Sequence, residues 1–492
     1  MDQANEATSA MEQAGHDEQH YELNVQSVTD AADTMQHGRS MTDAIVDSEQ
    51  SMSIHFQLEQ PGYAVLGLEA AGDSNWQEKG RESVVLRLYL NGEYQQDVIL
   101  FYGEQTLDYS RLLGCLPAGA HTVTLELQRD MTPTGATRAV VRRAGVYHIG
   151  KEEPLAIAYR HTPVIYGRQL THPYESTFTD TPLLLMYSIE QQEDRMTIEY
   201  HMVFSHEDEG TPSGLLMSKW GRTTDIEWMH RVELDRDGKV LRHTYQGPHH
   251  VETAFAGLTD YCGGHPVLQA ATANGNFTDQ PLSDYRYMLP PLLQWDRTCE
   301  PRERVMALYP FIHQVSNWEM NRQYELEQPV DRHSWKLADQ RHYLFIHGLK
   351  QWPESLRSQS QDTPIDEVTG ENMSLLRQTP IDYQLRLKGE QEWLSSSYCD
   401  MRIGAFRAAY EGPYPGFATT IKTDQQLTLD DIAAIRAVLL PGGLDEVELG
   451  HMYAYTLDEQ YRPVAGIRAE SFVRLTKDTP EALIWTCGES DR

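Results

Sequence analysis

The sequence predicts a mainly β protein: several antiparallel β-sandwich (jelly-roll-like) modules with a short helical insertion. Three observations carry this. Short runs with period-two alternation recur from residue 52 onward, the mark of half-buried strands. Turn residues separate them, among them Asn91-Gly92, a pair that tolerates the positive φ of a type I′ hairpin. The clearest helical spacing is confined to Val305, Leu308, Ile312 and Val315.

The chain has 492 residues, a prior of about three domains. Residues 1–50 read as an acidic tail: residues 1–60 hold twelve Asp and Glu against a single Arg39, and such a segment buries too little apolar surface to offset its ordering entropy. Residues 51–150 read as a β-sandwich of the glycan-binding kind by analogy of fold. Met52, Ile54, Phe56 and Leu58 share one side of its first strand, and runs at 62–70, 83–90, 97–102 and 121–127 follow. Trp76 and Tyr89 could stack on a sugar, although a buried aromatic is the commoner use.

Residues 151–300 read as a central β-sandwich with the candidate site. Strands fall at PLLLMYSIE, MTIEYHMVF, DIEWMHRVEL and KVLRHTYQG, and residues 148–265 hold ten of the chain's twenty histidines. Residues 301–400 read as a mixed helix and strand unit with a linker: Pro310 should break its helix, a strand follows at HYLFIHGL, and 352–380 is a polar loop. Residues 401–492 read as a C-terminal β-rich module, in which DDIAAIRAVLL is a short helix or a strand.

Composition narrows the function. Lys and Arg number 41 against 73 Asp and Glu, a net charge of −32, which repels nucleic-acid phosphates and anionic membranes. No run approaches the roughly 20 apolar residues of a membrane helix. Nucleic-acid binding and membrane spanning are therefore not expected. The five cysteines form no C-x-x-C pair, so pairing and redox compartment stay open. No leader is recognised at the start of this chain, a start that also suits a mature exported protein; a secreted or cell-surface location is expected, with a cytoplasmic one still open. No G-x-S-x-G, P-loop, H-E-x-x-H or G-x-G-x-x-G stands in the sequence, and no organic cofactor is expected.

The segment Trp220–Trp228 carries the candidate chemistry. Alternation places Ile226, Trp228, His230, Val232 and Leu234 on one face, so Asp225 and Glu227 share the other. Two carboxylates there call for a cation, basic partners or solvent. If Asp237-Gly238 is a two-residue turn, paired residues sum to 475, Asp225 faces His250 and Glu227 faces Pro248; a three-residue loop slides the register by one and brings His249 instead. The expected ligands of a divalent cation are Asp225, Glu227, His250 and His249, with calcium favoured over zinc by the oxygen donors. Trp220, Arg222 and Trp228 are candidate substrate contacts. The competing use of the carboxylates is a solvated or salt-bridged strand face near Arg222, Arg231 and Arg242. The DRDG run lacks a Glu at the twelfth position of a calcium loop, and His201 and His243 read as structural.

Gly221-Arg222-Thr223-Thr224-Asp225-Ile226-Glu227 resembles the G-H-R-H-D-W-E heptad of necrosis-inducing plant-pathogen proteins and the G-D-W-E strand of Vps62-like proteins. The resemblance covers seven residues and the strand pattern over about 160–255. It implies a β-sandwich with a divalent-cation site that engages membrane sphingolipid sugars, with Asp225 and Glu227 as cation ligands. Arg222 and Thr224 replace the two histidines of that motif, and Ile226 its tryptophan.

A second constellation, Tyr309, His313, Asn317, Glu319, Arg322 and Tyr324, has the residue types of a polysaccharide lyase, a Tyr or His to take a proton and Asn or Arg to neutralise a uronate. The catalytic candidates are thus Asp225, Glu227, His313 and Tyr324. The expected function is binding, and possible cleavage, of a glycan or polysaccharide with a cation in the central domain; a catalytic version would be a glycoside hydrolase or polysaccharide lyase. The alternatives are a non-catalytic glycan- or matrix-binding surface protein and a membrane glycolipid binder.

Overall fold

The computed structural model describes residues 44–169, 181–207, 213–259, 264–273, 275–351, 379–397, 415–464, 466–470 and 472–488. Residues 1–43, residues 352–378 of the expected polar loop, Cys262 and Cys399 lie outside them. Six mainly antiparallel sheets make up the β architecture.

Two sheets form the N-terminal sandwich. Met52–Leu58 alternates buried and exposed residues without a break and runs against Gly119–Leu127, then Val84–Leu90 and Glu93–Leu100. Gly62–Gly72 lies beside Ala139–Gly150 in the second sheet. The apolar sides of both, including Phe56, Leu66, Leu86 and the fully buried Trp76, share one core. Asn91 and Gly92 take φ 54° and 85°, as a type I′ turn requires. The expected tail ends earlier than residue 50: Ala44–Val46 is a strand on Ala139–Val141, because Val46 can bury its side chain fully there.

The central unit carries a six-stranded sheet with Pro182–Gln191, Arg195–Phe204, Ile226–Asp235 and Val240–Gln246 in sequence, and a four-stranded sheet around Val164–Tyr166. The expected sum of 475 is met from His230↔Tyr245 to Glu233↔Arg242. The turn, however, spans three residues: Asp235 N–H donates to Lys239 O at 2.9 Å and Gly238 takes φ 75°. A bulge that leaves out Leu241 restores the register. The central unit is bonded to the first sandwich, since Arg286 Nε donates to Gln95 O at 2.6 Å and Met288 N–H to Gln96 Oε1 at 2.9 Å.

Pro310 divides the helical insertion into Arg304–Leu308 and Phe311–Arg322. The C-terminal β unit starts well before residue 401. Tyr343–Gln351 pairs with both Gly416–Lys422 and Glu446–Tyr455, and Ile381–Leu387 pairs with Ile432–Leu439. Leu344, Ile381, Ile435 and Val447 close one core between the two sheets, so strands read as part of a 301–400 unit belong to the C-terminal one. The DDIAAIRAVLL segment is a strand preceded by one 3-10 turn.

Candidate functional site

The helix Ser213–Trp220 ends at Gly221, whose N–H donates to Met217 O at 3.0 Å with φ 65°, a conformation glycine adopts without strain. A Cβ there would also press on Ala418 and Thr419 of the C-terminal sheet. The chain that leaves this turn is buried from Arg222 to His230. From Ile226 it is a central strand packed on both sides, so the solvated alternative for the carboxylates does not form.

Asp225, only 1% exposed, stands just before the strand Ile226–Asp235 and meets Glu227 of that strand and Glu207, which lies just beyond the strand Arg195–Phe204. Burial first, and then the Glu207 and Glu227 charges, hold the Asp225 carboxyl well above the usual range. Glu207 is pushed up to about 7 by burial, against the pull of Arg222. Shared protons thus relieve the repulsion. Arg222 donates from Nε to Glu303 Oε1 at 3.1 Å and approaches Glu207 at 3.8 Å. Gln246 Nε2 donates to Glu227, and His250 Nδ1 lies 3.7 Å from Glu227 Oε2. A Cβ at Gly275 would fall 2.3 Å from Asp225 Oδ2, so glycine is what admits the carboxyl. His250 thus lies beside Glu227 and not opposite Asp225 as the 475 register set it, because the strand ends at Gln246 and residues 248–250 form a 3-10 turn. His249 does not reach the carboxyls: it is exposed, with its N–H on Asn276 Oδ1. Asp225 Oδ1 is buried without a hydrogen-bond partner.

Three carboxyls around an orphaned oxygen suit a hard cation in donor chemistry. In arrangement they are bonded to one another, and among the described residues no group of three or more His, Cys, Asp or Glu side chains is placed to hold a metal ion. The expected substrate contacts are corrected here. Arg222 is an internal ion-pair partner, Trp228 is buried beneath Arg231 at 4.7 Å, and Trp220 is half-buried, with Lys219 4.9 Å from its ring. A ligand cannot reach Asp225 or Trp228 without opening the sheet.

His313 is likewise a core residue. Its ring bridges Gln340 Oε1 at 2.8 Å and Tyr455 Oη at 3.2 Å, and burial drives its pKa down to about 4. Tyr324 stands apart from it, 94% exposed. The same helix does reach an open site: Asn317 and Asn321 line a cleft of about 390 Å³ with Gln77 of the first sandwich, Asp339, Arg341 and Tyr461, alongside Leu326, Pro329 and Val330. Asn317 Nδ2 donates to Asp339 Oδ2 at 3.1 Å and to Tyr461 Oη at 2.9 Å. Tyr461 Oη donates to Asp339 Oδ2 at 2.8 Å, and Arg341 holds the same carboxylate through Nε and Nη2. Burial works against ionisation of Asp339, but hydrogen bonds from Arg341 and Tyr461 hold its carboxyl below the usual range. Burial, and then the Asp339 charge, push the Tyr461 phenol up. Sequence reasoning singled out Asn317 but missed Gln77, Asp339, Arg341 and Tyr461, which come from three separate stretches with no local pattern.

No family model matches the chain, and no curated protein matches it. Among solved structures it is similar to the CBM36-1 domain of a multidomain xylanase from the hindgut metagenome of Trinervitermes trinervoides, at 12% identity, 24% of this chain, 94% of that one and a TM-score of 0.18. It is also similar to a carbohydrate-binding module CBM36 solved with calcium and xylotriose (10% identity, 22% and 93% coverage, TM-score 0.17). A third is the CBM35 of Abf62 from Cellvibrio japonicus (17% identity, 23% and 90% coverage, TM-score 0.17).

Proposed function

We propose that the protein is a multi-module glycan-binding protein that holds a neutral oligosaccharide or polysaccharide chain in the cleft at Asn317, Asp339 and Tyr461, and retains it without cleaving it. One observation carries the reading: an open cleft of about 390 Å³ places amide, carboxylate, guanidinium and phenol groups beside Leu326, Pro329 and Val330. A sugar hydroxyl both donates and accepts, and amides and a carboxylate–guanidinium pair supply both roles within a few ångströms, while the apolar residues suit the C–H face of the ring. The volume lies within the ~300–1,000 Å³ of small-ligand sites. The net charge of −32 favours a neutral glycan over a polyanionic one. A secreted or cell-surface setting agrees with such a ligand.

Cleavage finds less support. Asp339 has both oxygens occupied by Arg341, Tyr461 and Asn317, and the raised pKa of the Tyr461 phenol keeps it protonated, so it offers no phenolate to take a proton. Asp225 and Glu227 are hydrogen-bonded to each other, whereas the two carboxyls of a glycosidase stand roughly 5 Å or more apart. Affinity electrophoresis in gels containing neutral polysaccharides tests the reading. Retardation of the full chain, at least tenfold weaker in Asn317→Ala and without release of reducing ends, supports it; no retardation in any neutral gel overturns it.

A second reading adds a divalent cation, calcium before zinc, at Asp225 and Glu227, the ligands that the resemblance of residues 221–227 implies, with Glu207 beside them. The orphaned Asp225 Oδ1 favours it: a cation would replace the shared protons as the counter-charge. Calcium analysis of the purified chain decides, with stoichiometric calcium lost in Asp225→Asn as the expected result.

A further inference from the structure

The cleft beside the helix Phe311–Arg322 has two ends, and they differ in what they leave unsatisfied. At the inner end Asn317 is only 3% exposed, and its amide is used within the protein: Oδ1 accepts from the Gln340 N–H at 2.9 Å, and Nδ2 donates to Asp339 and Tyr461. One helical turn on, Asn321 is exposed and meets Gln77, also exposed, from the first sandwich. Asn321 Nδ2 donates to Gln77 Oε1 at 3.1 Å. That bond leaves Asn321 Oδ1 as an acceptor and Gln77 Nε2 as a donor beside one another in the cleft, with no partner for either among the described residues.

Both walls are set before a ligand arrives. Arg322, the next residue on the helix, donates from Nη1 to Trp76 O at 2.6 Å and lies 5.0 Å from the Trp76 ring, while the Gln77 N–H donates to Asn75 Oδ1 at 3.1 Å. The amide pair is thus fastened from both sides. Opposite it, the wall of Leu326, Pro329 and Val330 is gathered by Lys422, whose fully buried side chain donates to Glu327 Oε1, Ser334 O and Lys336 O, each at 2.8 Å. An ammonium taken out of water needs such a full set of acceptors, and the loop that supplies them is ordered in advance, which lowers the cost of binding.

We infer that the cleft holds two successive rings of an extended, β-1,4-linked neutral glycan, the outer ring gripped through adjacent hydroxyls by Gln77 and Asn321. The inference rests on the glycan reading of the same cleft and adds the length and linkage of the chain. Asn317 and Asn321 are four residues apart on one helix, a rise of about 6 Å, close to the advance of one ring along an extended chain. A spare acceptor beside a spare donor matches two adjacent hydroxyls, one giving and one taking a hydrogen bond. An α-1,4-linked chain curls, and its second ring would leave the straight line from Asn317 to Asn321. Because Gln77 belongs to the first sandwich and Tyr461 follows a strand of the C-terminal unit, the bound chain bridges the two.

The test is affinity electrophoresis of the full chain in gels of hydroxyethylcellulose, galactomannan, arabinoxylan and soluble starch, followed by competition with the mono- and disaccharide of the gel that retards it most. The expected result is stronger retardation in at least one β-1,4-linked gel than in starch, and a disaccharide that competes about tenfold better than the monosaccharide. Gln77→Ala and Asn321→Ala, both at exposed side chains, should each weaken the disaccharide about threefold with an unchanged melting temperature. Equal competition by the two sugars overturns the inference, as does strongest retardation in starch, or disaccharide affinity kept in both variants and lost in Asn317→Ala. Each of these leaves the glycan reading standing, whereas no retardation in any gel overturns both.

Discussion

The carboxyl cluster of the central sheet and the cleft beside the helix Phe311–Arg322 are built from the same residue types, carboxylates, an arginine and amides, yet they differ in every chemical respect. In the cluster, burial raises the Asp225 carboxyl well above its usual range and Glu207 to about 7, and Arg222 is spent on Glu303. In the cleft, Arg341 reaches Asp339 from a rim open to solvent, and the carboxyl is held below its usual range. Solvent access, more than residue identity, decides whether a carboxyl acts as an internal fastener or a ligand contact. The acidic pair that looks most like an active site in the sequence is the less accessible of the two.

The sharpest way to break this contrast is Arg222→Met. If the cluster is sealed, its removal leaves Glu303 and Glu207 without their buried counter-charge, and losing one partner of such a pair costs about 3–5 kcal/mol. Urea denaturation should show a loss of that order. A loss below about 1 kcal/mol would be that of an exposed ion pair, and the cluster would then have to be open to water.

Acid–base behaviour separates the two regions next. Glu207 has a folded value of about 7 against an ordinary 4.5, so the folded state binds more protons than the unfolded one between these pH values. Stability is therefore fully present below about 4.5 and falls as pH rises through 7. In chelator-treated protein the fall should be on the order of 1–3 kcal/mol, and Asp225→Asn, which removes one charge of the cluster, should flatten it. Asp339 has the opposite sign: its folded value is lowered, so its contribution is present above the unfolded value and lost in acid. Asp339→Asn should cost about 1–3 kcal/mol and weaken glycan retention at least tenfold, about 1.4 kcal/mol. A stable variant with unchanged retention would remove the cleft from the binding surface.

What the sequence discloses about these regions follows the range of the interactions. Local patterns are legible: the unbroken alternation of Met52–Leu58, the Asn91-Gly92 turn and the break at Pro310 each depend on residues a few positions apart. The 475 register is legible in its middle and misleading at its turn, because a three-residue loop and the bulge at Leu241 cancel. Burial of both faces of the strand at Asp225 is not legible, since it depends on Arg222 meeting Glu303, 81 positions away. Nor does a local pattern mark the cleft, which needs Gln77, Asp339 and Tyr461 to converge, or the membership of Tyr343–Gln351 in the C-terminal sheets.

The smallest effect tests Tyr324, the exposed residue in the chain between two residues that line the cleft. Tyr324 follows the helix that supplies Asn317 and Asn321, sits at φ 60° and is 94% exposed, so its ring earns almost nothing from packing while its backbone occupies a region that disfavours a bulky side chain. Asparagine tolerates that conformation better, so Tyr324→Asn should leave stability unchanged or raise it by up to about 0.5 kcal/mol. Tyr324 falls in sequence between Asn321 and Leu326, which line the cleft, and if its exposed ring serves as a sugar-stacking platform, retention of a neutral polysaccharide should fall severalfold in the same variant. A gain in stability with a loss of retention would mean that the strained tyrosine is kept for the ligand. Unchanged retention would confine binding to the residues around Asp339 and sharpen the contrast with the carboxyl cluster further.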